Sequence, residues 1–156
     1  MIILGIDPGL SGAICAYDGR SMSIFDMPTF TVPINRKMRR VVDEDKLAGI
    51  LSGFTDAFAV VENVHSMPSQ GVASAFTFGQ GYGAIRGVLA ALGIPRRYVE
   101  PSVWKRAFQL THDKDMSRRR ASELLPAFAI HWPLKKHDGR AESALLAYYG
   151  LKHYGT

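Results

Sequence analysis

The chain has 156 residues, 47% of them hydrophobic, and a formal net charge of +5. That length suits one domain over residues 1–156 with a real core, and the apolar content excludes a disordered chain. No run of about 18 apolar residues marks a membrane helix; with a lone cysteine, Cys15, and no basic segment ahead of the first apolar stretch, a cytoplasmic setting without a secretory leader is expected.

In chain order, Ile2 to Ile6 are predicted as a buried strand ending at Asp7, and Pro8 to Gly12 as a turn. Ala13 to Tyr17 and Met22 to Met27 follow as strands joined by a tight turn at "DGR". Three short strands in series predict an antiparallel meander. Thr29 to Arg40 reads as a loop, with Pro28 and Pro33 framing its first half and basic residues filling the rest. Asp43 is placed as the cap of a helix running to about Phe54, with Leu47, Ile50 and Leu51 on one face. Ala57 to Asn63 form a strand so apolar that both its faces must be covered, yet it holds Glu62. Val64 to Ser74 is a polar loop. A long helix is expected over about Ala73 to Leu92, a fifth strand over Arg97 to Glu100, and helices at "PSVWKRAF", "DMSRRRASELL" and Asp138 to Leu151.

Two apolar strands that end in acids are the first functional signal. If they pair side by side and parallel, Asp7 and Glu62 meet at one sheet edge, where α/β folds hold their ligands. The last helix supplies Asp138 and Glu142, four residues apart and so on one face. Four carboxylates converging from remote segments repel one another unless cations join them. All-oxygen ligands select hard ions, here Mg²⁺ with Mn²⁺ as substitute, and a pair of such ions is the usual apparatus of phosphodiester hydrolysis. Taken singly, Asp138 also reads as a helix cap and Asp7 as a turn residue.

"GIDPGLSGA", "VVENVHSMPSQGVASAFTFGQGYGAIRGVL" and "KKHDGRAESALLAYYG" together resemble the RuvC family of Holliday junction resolvases, and most of all its short phage and prophage members. The resemblance covers nearly the whole chain. It implies a ribonuclease H-like α/β fold: a five-stranded mixed sheet, the first three strands antiparallel, with helices on both faces. It further implies a homodimer that nicks opposed strands of a four-way DNA junction, leaving 5′-phosphate and 3′-hydroxyl ends. Asp7 and Glu62 match the family's first two catalytic acids and Glu142 its last. Family members carry the final two acids three apart. Here that slot holds Gly139, so Asp138 is the expected third ligand, with His137 as the competing one. The resemblance also assigns a phosphate-side lysine, matched by Lys105 and more loosely by Lys114. It places a junction wedge in the loop after Glu62, where Met67 is the only large apolar side chain.

The positive charge is clustered, as suits a polyanion surface. Arg36, Lys37, Arg39 and Arg40 form one cluster, Lys114, Arg118 and Arg119 belong to another, and "PRR" and "PLKKH" add to them. The glycine-rich "GQGYGAIRG" follows a helical pattern rather than a strand, so no nucleotide cofactor is expected, and its small residues suit close helix packing, within the chain or across the dimer. Trp104 and Trp132 read as packing residues. The expected function is a Mg²⁺-dependent endonuclease for four-way junctions. The competing readings are a nuclease for flaps or other branches, a non-catalytic junction binder, and a small-molecule phosphotransferase, which would need a second lobe that the chain is too short to form.

Overall fold

Aliphatic side chains alternate between two separate cores on the central strands, and this fixes the architecture. On β1 (Ile3–Ile6), Ile3 enters one core while Leu4 and Ile6 enter the other; on β6 (Phe58–Glu62), Val60 takes the first side and Ala59 and Val61 the second. The computed structural model describes residues 1–111 and 114–155, apart from the Lys114 side chain. With β2 (Ala13–Tyr17), β3 (Met22–Asp26) and β7 (Arg96–Val99), these strands make a five-stranded sheet in the order β3-β2-β1-β6-β7. The first three strands are antiparallel, while β1–β6 and β6–β7 are parallel. The expected mixed sheet is therefore present, as are helices on both faces.

One face carries α1 (Glu44–Ser52) and α2 (Val72–Ala91), whose Leu47, Leu51, Ile85 and Leu89 are fully buried. Asp43 caps α1 as expected, its carboxylate accepting the Lys46 amide at 3.0 Å. The other face carries α3 (Pro101–Ala107), α4 (Lys114–Leu124) and α5 (Asp138–Tyr154), with 3-10 turns at Pro126–His131 and Lys135–His137. Trp104 and Trp132 are buried there, as expected of packing residues. α5 lies hard against β1: a side chain on Gly5 would meet the backbone of Ser143 and Ala147. Arg140 fixes the start of α5 to the end of β3 through a two-pronged pair with Asp26, both contacts 2.6 Å.

The segment expected to be a loop is instead a hairpin. β4 (Thr29–Ile34) and β5 (Lys37–Val42) pair antiparallel as a separate two-stranded ribbon. Its two-residue turn, Asn35 and Arg36, has positive φ at both positions (49° and 61°). That is the twist a tight hairpin needs. Pro33 and the absence of glycine at the turn hide the ribbon in the sequence. Pro33 is tolerated because a two-stranded ribbon has only edge strands.

Candidate active site

The site grows from the parallel neighbours β1 and β6. Their ladder ends at Ile6 opposite Val61, and the next residue on each strand is the acid, Asp7 and Glu62. A tight turn follows Asp7: Gly12 N–H donates to the Gly9 carbonyl at 2.8 Å, and the Asp7 amide donates to Ala13 at 3.0 Å. The Asp7 carboxylate accepts the Gly9 N–H at 3.1 Å. Glu62 is buried, and its Oε1 accepts the indole N–H of Trp104 at 3.0 Å. Behind it, Asn63 donates to Glu100 at 2.5 Å and accepts from the Tyr82 hydroxyl at 2.9 Å, which tethers the chain leaving β6.

α5 brings Glu142 to the same place. Ser117 on α4 donates its hydroxyl to Glu142 at 2.9 Å, and the Lys105 ammonium stands 3.3 Å from the same carboxylate. The electrostatics record how close the three acids are. Burial pushes the Asp7 carboxyl up to about 7, helped by Glu142 and then Glu62. Burial and then Glu142 raise Glu62, while Lys105 and the Trp104 hydrogen bond pull it back. A cavity of about 510 Å³ opens over Asp7, Asp138, Glu142, Lys105, Lys135 and Lys136.

Asp138 borders this cavity but faces α4. Its Oδ1 accepts from Arg118 Nε at 2.9 Å, and Arg118 also bonds Asp115 at 2.7 Å. Asp138 is the first residue of α5 and not its cap, a position taken by His137 without a side-chain cap bond. Gly139 occupies the slot of the expected acid for a steric reason: a side chain there would strike the Ser11 carbonyl and the Gly12 backbone. Among the described residues, no three His, Cys, Asp or Glu side chains are gathered as a ready metal cage. The donor chemistry nevertheless fits a hard divalent cation, since the donors are all carboxylate oxygens, Glu142 raises the proton affinity of both Asp7 and Glu62, and Lys105 is the only cation that offsets both shifts.

Among the remaining site expectations, Arg36, Lys37 and Arg40 are exposed on the ribbon and Arg39 is half-buried. Arg40 donates to the Ser11 hydroxyl at 2.6 Å, which puts it on the cavity rim. Arg119 is exposed, Arg118 is engaged as described, and the Lys114 side chain lies outside the described residues. Met67 is 66% exposed, in a groove shared with His65 and Glu100. Sequence reasoning missed the parts played by Trp104 and Ser117, which no local pattern signals. It also missed Lys135 and Lys136 as cavity residues, although "PLKKH" flagged their charge.

No family model matches the chain, and no curated protein matches it. Solved structures do. The T. thermophilus RuvC in complex with Holliday junction substrate has a TM-score of 0.64 at 15% identity, covering 99% of this chain and 97% of that one. The Thermus thermophilus RuvC structure has a TM-score of 0.62 at 17% identity, covering 100% and 98%. The fold of this chain is therefore the RuvC fold, over its whole length. Among the described residues, no helix is long and apolar enough to cross a membrane.

Proposed function

From a RuvC fold whose sheet edge gathers three acids, we propose a divalent-metal-dependent endonuclease that resolves four-way DNA junctions. The observation that carries the reading is the meeting of Asp7, Glu62 and Glu142 beside Lys105, under an open cleft rimmed by Lys135, Lys136 and Arg40. Asp7, Glu62, Glu142 and Asp138 would hold Mg²⁺, or Mn²⁺ in its place, as one or two ions. When bound, the metal supplies a lowered pKa for attacking water and neutralises charge on the phosphodiester.

The chain's own residues do the rest. Trp104 fixes the Glu62 carboxylate by one hydrogen bond and Ser117 fixes Glu142 by another, so both acids are oriented before substrate arrives. Lys105 lines the cleft and stabilises negative charge on the scissile phosphate. Lys135, Lys136 and Arg40 take flanking phosphates. No serine or tyrosine nucleophile is invoked, and the products carry 5′-phosphate and 3′-hydroxyl ends.

Paired nicking requires two copies. α2 offers the contact: Val72 (88% exposed) and Phe76 (68%) stand open to solvent, and Gly79, Gly83 and Gly87 continue their stripe with open space over each. Such a stripe lets two helices approach closely. The test is a nicking assay on a synthetic four-way junction beside linear duplex and a flap, with and without Mg²⁺. Asp7→Asn and Glu62→Gln should each abolish cleavage and keep junction binding. Cleavage by either within about tenfold of the unaltered chain, a loss of only about 1.4 kcal/mol, overturns that acid as a metal ligand. Equal cleavage of flap and junction would widen the substrate class, and binding without metal-dependent cleavage would make the chain a junction binder.

A further inference from the structure

We infer that the β4–β5 ribbon is a DNA arm whose Pro33–Met38 pair enters a base step of a duplex arm as an apolar wedge. This rests on the nuclease reading above and adds a second, non-catalytic contact to it. Residues 29–42 hold four cations, Arg36, Lys37, Arg39 and Arg40, and no acid. Cross-strand register sorts them by face. Thr29 with Val42, Thr31 with Arg40, and Pro33 with Met38 share one face of the ribbon.

That face leads outward from the active site. At its root Val42 is 2% exposed and packs beside Gly81 of α2. In the middle, Arg40 is bonded to Ser11 on the cleft rim. Beyond it, at about 3.4 Å per residue, Met38 lies about 7 Å further out and the turn about 14 Å. Met38 is 67% exposed and Pro33 is exposed opposite it. A single exposed methionine needs no explanation. A methionine registered against a proline, on a ribbon whose charged side chains are all cations, matches a partner that is anionic outside and apolar between its layers. Duplex DNA has that chemistry: two-stranded ribbons enter its grooves, and Met and Pro are among the side chains that part base steps from the minor groove. The competing wedge, Met67, shares its groove with Glu100, which repels phosphate.

The test uses the full-length protein in EDTA with four-way junctions carrying 2-aminopurine at successive positions in the arms. Saturating protein should raise the fluorescence at one step as it unstacks. Met38→Ala should abolish that rise while the thermal midpoint stays unchanged. The combined change of Arg36, Lys37 and Arg39 to Gln should reduce the salt slope of junction binding by about 2–3. A rise that survives in Met38→Ala but disappears in Met67→Ala moves the wedge to the loop after β6 and overturns the inference. An unaltered salt slope overturns the arm. Either result in a chain that still cleaves junctions leaves the nuclease reading standing, whereas loss of junction preference in the unaltered chain defeats both.

Discussion

Asp7→Asn in the metal-free protein gives a stability test that needs no DNA. The folded carboxyl titrates near 7 against 3.8 for its ordinary value. Below about pH 4, both folded and unfolded chains hold the proton. Between about 4 and 7 the unfolded chain releases it while the folded chain keeps it, so stability falls as pH rises and the loss is complete above 7. The full gap is worth about 4 kcal/mol, and screening by water in the open cleft lowers this to about 2–4 kcal/mol. Asparagine does not titrate, so the variant should gain that much on the unaltered chain between pH 4 and 8. In a chain of this length the gain is about 4–16 °C of thermal midpoint. Glu62, also raised by burial, leaves a slope of the same sign in the variant. Urea denaturation at several pH values in EDTA reads the difference. Adding Mg²⁺ at about 100 times its Kd should then return about 2.7 kcal/mol to the unaltered chain and clearly less to the variant. Parallel stability profiles for the two proteins from pH 4 to 8 would refute the burial of Asp7 beside Glu142 and Glu62 on which the proposed active site is built.

Two further outcomes follow from α5. Asp138→Asn should cripple single-turnover cleavage in Mg²⁺ and recover partly in Mn²⁺, while His137→Ala cleaves nearly normally; the reverse pattern would move the ligand to His137. Gly139→Ala should cost about 1–3 kcal/mol in chemical denaturation, because its methyl group would press on the Ser11 and Gly12 backbone, and a loss under about 0.5 kcal/mol would contradict that close packing.

The central sheet was legible because its strands are short apolar runs bounded by turn residues, and Asp7 and Glu62 stood out because an acid ending such a run has no packing role. The ribbon was hidden by Pro33 and by a turn made of Asn35 and Arg36 without glycine. Glu142 was legible from its helical spacing, whereas the ties that hold it, Ser117 and Lys105, come from helices distant in sequence. The orientation of Asp138 toward Arg118 depends on how α4 crosses α5, which no spacing along the chain encodes. Trp104 was correctly expected to be buried, but only the fold pairs its indole with Glu62.

The sheet also acts as a partition. Its α5 side carries Glu142 and the helices that hold it, and its α1–α2 side carries the exposed stripe proposed for pairing. Side chains on opposite sides share few neighbours, so changes to one side should combine additively with changes to the other. On the proposed reading, selection could therefore retune how two copies are spaced, and with it the branch geometry they accept, while the proposed hydrolytic site stays fixed. Glu62 is the exception. It sits on the partition itself, with Trp104 against one side of its strand and the tethered exit of β6 on the other, so a change there would be felt in both compartments.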